Sequence, residues 1–166
     1  MSTTINVLYA DTHTADLVIG SDTVVVNNNK ILEKPSSAEH ATEMLTSLSG
    51  STHQVFSGVT LVYNRKTLLS SSPVLSSSDA SSTTFSEDPT VLTFYEVTDV
   101  SFLPLSPEMI SGYIATKEPF DKAGGYGIQG IGGDFVKGIN GCYYNVMGFP
   151  RSHFASVLHE LLSGAK

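Results

Sequence analysis

The chain has 166 residues, 40 % of them hydrophobic and 15 % charged, with nine Lys and Arg against sixteen Asp and Glu. That length bounds it at about one domain with a sizeable core, and a net charge of −7 has the wrong sign for coating nucleic acid or an anionic membrane, although a few local cations suffice for a small anionic ligand. One cysteine, Cys142, excludes a disulfide framework and a cysteine zinc site; no apolar run reaches the length of a membrane span and no secretory signal opens the chain, so a soluble, cytoplasmic protein is expected.

Asp16 to Val26, DLVIGSDTVVV, is crowded with β-branched residues and reads as a strand buried on both faces. Asn27-Asn28-Asn29 reads as a turn, and Ile31-Leu32 as a short extended piece stopped by Pro35. Ser36 opens a helix, with Glu39 completing a capping box. Ala38, Ala41, Leu45 and Leu48 recur at helical spacing and Gly50 supplies the stop, which predicts a helix over Ser37–Ser49. His53 to Tyr63 reads as the next strand. Ser70 to Ser86 holds nine serines in seventeen residues, and residues 70–89 are expected to form a flexible surface loop.

Thr90 to Leu103 alternates as a strand, with Val91, Thr93, Tyr95 and Val97 on one side and Leu92, Phe94 and Glu96 on the other. Ser106 caps a helix that has Pro107 at its first position and an apolar stripe of Met109, Ile110, Tyr113 and Ile114. A glycine-dense stretch, Lys117 to Gly133, follows. Asn140-Gly141, between Phe135–Ile139 and Cys142–Met147, predicts a β-hairpin. Pro150 starts a last helix with Phe154, Val157, Leu158, Leu161 and Leu162 inward. Strands alternating with helices, plus one hairpin, predict an α/β fold with a mixed sheet in a single domain over residues 1–166.

Asp22 stands out because a carboxylate inside an apolar strand is costly to desolvate unless paired or functional; capping a turn at a strand end is the bland alternative. Thr23 is either a packed β residue or a ligand contact. Lys34, fixed by Pro35 between a strand and a helix start, could meet a phosphate there, or simply be solvated. Glu118 to Gly130 gathers two carboxylates, Lys122 and Gln129 among glycines that permit close backbone approach to a ligand, or tight turns. Both nucleotide-binding glycine fingerprints are absent, as is a serine-hydrolase elbow. The five histidines show no zinc spacing, and His53 reads as a structural residue.

The strings IGSDTVV, ILEKPSSAEHATEMLTSLSGSTHQVFSGV and EPFDKAGGYGIQGIGGDFVKGINGCYYNVMGFP together resemble the Maf family of nucleoside triphosphate pyrophosphatases. The resemblance covers nearly all of the chain from Asp16 onward. It implies an α/β fold of the Maf and inosine-triphosphatase kind, a mixed twisted sheet flanked by helices. Glu-Pro-x-Asp-Lys-Ala-Gly-Gly-Tyr-Gly-Ile-Gln is similar to the branch that prefers dTTP and UTP, and Phe-Tyr-Glu-Val-Thr with Gly-Phe-Pro is similar to eukaryotic members. The resemblance implies that Asp22 is the general base and a candidate metal ligand, that Lys34 contacts phosphates, that Thr23 and Gln129 bear on choice of base, and that Asp121 and Lys122 complete the pocket. It further implies a divalent ion, Mg²⁺ or Mn²⁺, a nucleoside triphosphate substrate with no nucleic acid polymer or membrane as partner, and a homodimer. The family begins with a strand leading to a Ser-x-x-Arg-Arg loop that cradles the triphosphate. Met1 to Ala15 contain no arginine, the first being Arg65, so an N-terminally shortened chain is expected. Either it is a pyrophosphatase, or it is a catalytically impaired form that acts as a binding or dimerisation module.

Overall fold

The computed structural model describes residues 17–64 and 90–163. Where β-branched residues crowd the sequence the backbone extends: β1 runs Leu17–Asn27 and returns through Asn28 and Asn29 as β2, Lys30–Leu32. The turn residues carry φ of 49° and 60°, the paired left-handed conformations that a two-residue hairpin needs and that asparagine tolerates. The strands pair antiparallel, Asn27 opposite Lys30 and Val25 opposite Leu32.

Helix α1, Ala38–Leu48, buries Ala41, Met44, Leu45 and Leu48. Burying each of the three larger side chains contributes about 1.5–3 kcal/mol relative to leaving it in water. Its cap is Ser37, one residue later than the expected Ser36–Glu39 box: Ser37 Oγ accepts the His40 amide at 3.1 Å. Ser36 is engaged elsewhere, its amide and hydroxyl each 3.2 Å from His40 Nδ1. His40, not Glu39, therefore occupies the third helical position.

β3, Thr52–Tyr63, and β4, Thr90–Phe102, follow. Three side-chain pairs, Thr52 with Ser101 at 2.8 Å, Gln54 with Asp99 at 3.0 Å and Thr60 with Thr93 at 3.1 Å, step in opposite directions along the two strands, which makes the pair antiparallel. On β4 the expected alternation holds: Val91 and Tyr95 are exposed, Val100 and Phe102 buried. The sheet order is β2-β1-β3-β4-β5, with β5 at Val136–Asn140. The α/β class holds, and each pairing whose register is described is antiparallel.

The predicted hairpin at Asn140-Gly141 does not form. β5 pairs with β4, Asp99 opposite Asn140, and the chain after Gly141 coils into a short helix, α3, which follows α2 (Pro107–Ala115) and spans Tyr143–Val146. The partner strand was already fixed by contacts distant in sequence. Gly141 is required for a different reason: a Cβ there would stand 2.8 Å from Thr98 Oγ1.

α2 is capped by Ser106, which accepts the Met109 amide at 3.3 Å, with Pro107 at its first position. Ile110, Tyr113 and Ile114 are buried, but Met109 is exposed, so the stripe is narrower than its sequence suggested. Three single-turn 3₁₀ segments, Glu118–Asp121, Ala123–Gly125 and Ile131–Phe135, carry the glycine-dense stretch. In α4, Arg151–Ser163, the expected residues Phe154, Val157, Leu158, Leu161 and Leu162 are half-buried.

The chain divides into two compact units. One comprises residues 22–58 and 95–152 and holds all six candidate site residues, with a core that includes Val25, Leu45, Val55, Val100, Tyr113 and Phe135. The other comprises, among the described residues, 17–21, 59–64, 90–94 and 153–163; Val59 and Leu61 are fully buried there, and the Phe94 and His153 rings lie 4.6 Å apart. The serine-rich stretch and the first sixteen residues, on which the expectations of a flexible loop and a shortened start fall, lie outside the described residues.

Candidate active site

β2 is three residues long and covers only Val25–Asn27 of β1. Continued in the same register, it would set Lys34 level with Thr23 and Pro35 level with Asp22. Pro35 has no amide to give a ladder, and the chain leaves the sheet before it: the Glu33 carbonyl instead accepts the Gly124 amide at 3.1 Å. The edge of β1 at Asp22–Val24 is thus left uncovered by β2, with Lys34 delivered beside it.

That Glu33–Gly124 bond ties the glycine-dense loop to the same place. Gly124 has φ of +69°, and a Cβ on it would stand 2.9 Å from Val25 Cγ2, so only glycine lets the loop press onto β1. Just before it, Lys122 Nζ lies 2.6 Å from Asp121 Oδ1. The hydrogen bond from Lys122 holds the Asp121 carboxyl below the usual carboxylate range; desolvation opposes it, and the charge of Lys122, a backbone hydrogen bond at Asp121 and, least of all, the charge of Lys34 add to the lowering. Asp121 and Lys122 are thus an ion pair, with the charge of Lys34 near enough to act on the carboxylate. The ion pair is 41 % and 74 % exposed on its two sides, which makes it worth little to stability and leaves Lys122 available to a ligand.

Asp22 is exposed, and its Oδ1 accepts the Thr23 amide at 2.9 Å. It stands about 10 Å along β1 from Val25, on the pleat opposite to Thr23 and Val25. Thr23 is half-buried above a polar network. Its Oγ1 lies 2.8 Å from Ser57 Oγ and 3.1 Å from the Gly148 carbonyl. Ser57 Oγ lies 3.2 Å from the Asn145 carbonyl. Asn145, wholly buried, donates both amide hydrogens at 3.0 Å, to the Val55 carbonyl and to Thr98 Oγ1, and so pins α3 to β3 and β4.

Glu118 braces the loop from behind. Its carboxylate accepts the Tyr113 hydroxyl at 2.9 Å and the Gly132 and Ile131 amides, each at 3.1 Å. Burial works against its ionisation, but those donors together with Lys122 hold its carboxyl below the usual range. Gln129 is exposed on the turn that this brace closes, where Gly130 donates to the Gly127 carbonyl at 3.2 Å. His53 is structural, as expected: it is 2 % exposed, its Nε2 lies 2.8 Å from the Tyr126 hydroxyl, and burial lowers its pKa to about 4.

A family profile described as Maf-like protein matches residues 3–161. The chain belongs to the Maf family. It is 48 % identical over 144 residues to a dTTP/UTP pyrophosphatase of Clostridium perfringens, covering 87 % of this chain and 64 % of that protein. It is 44 % identical over 156 residues to a dTTP/UTP pyrophosphatase of Bacillus cytotoxicus, covering 94 % and 69 %, and 43 % identical over 152 residues to one of Bacillus cereus, covering 92 % and 65 %. The chain thus spans about two thirds, and in the first case 64 %, of the length of the curated relatives it matches.

In this Maf-family chain the structure pairs Asp121 with Lys122, ties the residue before Lys34 to the same loop through the Glu33–Gly124 bond, and sets Thr23 on the strand face against which the loop packs. Among the described residues, no hydrogen bond or ion pair joins Asp22 or Gln129 to Lys34, Asp121 or Lys122. Glu118, Ser57 and Asn145 were not singled out from the sequence as site residues. Glu118 is tied to partners thirteen and fourteen positions away, and Ser57 and Asn145 sit in β-rich or helical contexts that give no signal of burial without apolarity. Two open cavities, of about 240 Å³ beside α1 and about 370 Å³ beside β5, contain none of the six predicted residues.

Proposed function

We propose that this Maf-family chain is a nucleoside triphosphate pyrophosphatase of the eukaryotic type that hydrolyses dTTP and UTP, and modified nucleotides of that class, to the monophosphate and pyrophosphate. The observation that carries the reading is the Asp121–Lys122 ion pair, with the charge of Lys34 acting on the same carboxylate, beside the stretch of β1 that β2 does not pair with. Two lysines there offer charge-assisted hydrogen bonds to phosphate oxygens. Asp121 holds Lys122 in place and neutralises one charge until a triphosphate displaces it. Asp22, exposed at the strand's uncovered edge, takes a proton from the water that attacks the α-phosphorus; the bond from that phosphorus to the bridging oxygen breaks, and pyrophosphate leaves. Thr23 and Gln129 contact the base.

A divalent ion, Mg²⁺ or Mn²⁺, belongs to the same reading. No group of three His, Cys, Asp or Glu side chains suited to a metal occurs among the described residues. One exposed carboxylate, Asp22, fits an ion held largely by phosphate oxygens and water, the habit of Mg²⁺ at phosphoryl sites. When bound, such an ion neutralises charge on the phosphate oxygens. The enzyme is read as a cytoplasmic homodimer that takes free nucleotides rather than polymers or membranes. No described helix is long and apolar enough to cross a membrane, and light scattering tests the dimer.

The deciding experiment is pyrophosphate release from dTTP and UTP with Mg²⁺. Asp22→Asn keeps the shape of the carboxylate but cannot accept the proton, so the rate is expected to fall about 10²–10⁴-fold with the melting curve unchanged. A variant retaining full rate would remove Asp22 from the mechanism. A second reading, a nucleotide-binding or dimerisation module without turnover, is favoured by one feature: among the described residues the sole arginine, Arg151, lies over the Tyr144 ring, 4.5 Å from its centroid, and not beside the lysines. Nucleotide binding without pyrophosphate release would establish it.

A further inference from the structure

We propose that the cavity between α1 and the β1–β2 hairpin is a binding site for a free apolar α-amino acid, taken up as its zwitterion. The site shares no residue with those assigned above to the triphosphate, so it stands or falls separately from nucleotide cleavage.

The cavity holds about 240 Å³, the share of about eight waters in the liquid, which suits a small metabolite. Its floor is apolar: Leu32 of β2 and Met44 of α1 line it and are 5 % and 4 % exposed. Its rim carries opposite charges, Lys30 from β2 and Glu43 from α1, both exposed. They border one cavity, yet among the described residues no hydrogen bond or ion pair engages either side chain. Two opposite charges that face one space without meeting leave room for a ligand that carries both.

Asn27 points the same way. It lines the cavity and is 6 % exposed. Its side-chain amide donates to the Ser47 carbonyl at 2.9 Å, tying the hairpin to the helix, but its side-chain oxygen has no donor among the described residues. A buried carboxamide oxygen without a donor is unfavourable, and the cavity is where a donor can reach it. His40, also on the wall, supplies a hydrogen. The Ser36 backbone amide, which can only donate, lies 3.2 Å from His40 Nδ1, so the neutral ring carries its hydrogen on Nε2. A carboxylate therefore suits Lys30 and His40, an ammonium suits Glu43 and Asn27 Oδ1, and an aliphatic side chain covers Leu32 and Met44. An α-amino acid bears both charged groups on one carbon, so both reach the rim while the side chain takes the floor. A peptide separates these charges to its two ends, and a nucleotide has no cation at neutral pH.

The test is an NMR titration of the full chain with L-leucine, with leucinamide, which lacks the carboxylate, with 4-methylpentanoate, which lacks the ammonium, and with glycine, which lacks the apolar body. Leucine should saturate with a Kd of about 1 mM or tighter, moving the Met44 methyl and Asn27 side-chain amide signals. Each of the other three should bind about fivefold or more weakly. Lys30→Gln and Glu43→Gln alter exposed side chains and should leave the melting temperature unchanged. Lys30→Gln should weaken leucine about fivefold and leave leucinamide as it was; Glu43→Gln should weaken leucine about fivefold and leave 4-methylpentanoate as it was. No saturation by leucine below about 10 mM, signal shifts confined to residues away from α1 and the hairpin, or full leucine affinity in both variants overturns the proposal. A chain that shows these losses yet releases no pyrophosphate keeps this inference and loses the proposed reaction.

Discussion

Gly124→Ala is a sharp test of how the loop is seated on β1. At φ of +69° a residue with a Cβ costs about 1–2 kcal/mol. The added methyl also meets Val25 Cγ2 at 2.9 Å and Val25 Cβ and Cγ1 at 3.0 Å. Val25 is 2 % exposed in the core, so it cannot swing aside, and overpacking of this kind costs about 1–3 kcal/mol. The two effects add to about 2–5 kcal/mol, a fall in melting temperature of about 4–20 °C for a chain of this size. Urea unfolding of the single variants and of Gly124→Ala combined with Val25→Ala separates them. Removing both Cγ atoms relieves most of the crowding but not the backbone strain, so the double variant should be about 1–2 kcal/mol more stable than the sum of the singles predicts. A Gly124→Ala chain within about 0.5 kcal/mol of the unaltered one, or strict additivity with Val25→Ala, would refute the close approach.

Other consequences are equally measurable. His53 has a pKa of about 4 in the fold against 6.5 ordinarily, because it is buried; its stabilising effect is complete above pH 6.5 and is lost as pH falls through 4. At about 1.4 kcal/mol per pH unit the chain should lose about 3 kcal/mol across that window, and His53→Gln should flatten the slope in urea titrations; parallel slopes would show that His53 is not the group responsible. Ser37→Ala should cost about 1 kcal/mol in thermal unfolding and Ser36→Ala less than half of that, with equal costs restoring Ser36 as the cap. Glu118→Gln turns an amide NH₂ toward one of the donors that the carboxylate now accepts, for about 1–3 kcal/mol. Faster hydrogen exchange at the Ile131 and Gly132 amides should accompany it, and unchanged exchange would mean that the brace is not needed.

What the sequence disclosed tracks the range of the interactions involved. β1, α1 and α2 were legible because their signals are local: β-branched density, an i, i+3, i+4, i+7 apolar set, and a serine before proline; burial of β1 on both faces was not, since Val18 and Ile19 are exposed and only Val25 and Asn27 are buried. The cap of α1 slipped by one residue because Ser36 and Ser37 are chemically equal, and the choice between them depends on the His40 ring. Asn140-Gly141 misled because its hairpin signal competes with β4, a strand some forty positions earlier, and with Asn145, whose buried amide coils the next residues into α3. The family pattern assigns Lys34, Asp121 and Lys122 to one pocket, and the structure shows one backbone bond, Gly124 to Glu33, that ties their two segments together across the sequence. Glu118 and Ser57 stayed hidden because a polar side chain announces its burial only through partners that sequence spacing does not reveal.

The pairing of Asp99 with Asn140 at the outer strand of the sheet has a bearing on how the protein ages. Asn140 and Gly141 are both exposed, and with no Cβ to shield it the Gly141 nitrogen can close on the Asn140 side-chain carbonyl, expelling ammonia; the ring reopens as aspartate or isoaspartate. Either product puts a second carboxylate across from Asp99, whose Oδ1 already accepts the Gln54 amide at 3.0 Å, and like charges facing across strands cost about 0.2–1 kcal/mol. Isoaspartate also lengthens the backbone by one carbon, and the strand beyond it loses step with β4. Stored protein should therefore loosen first at β5, and the damage should be dated by the mass gained at residue 140.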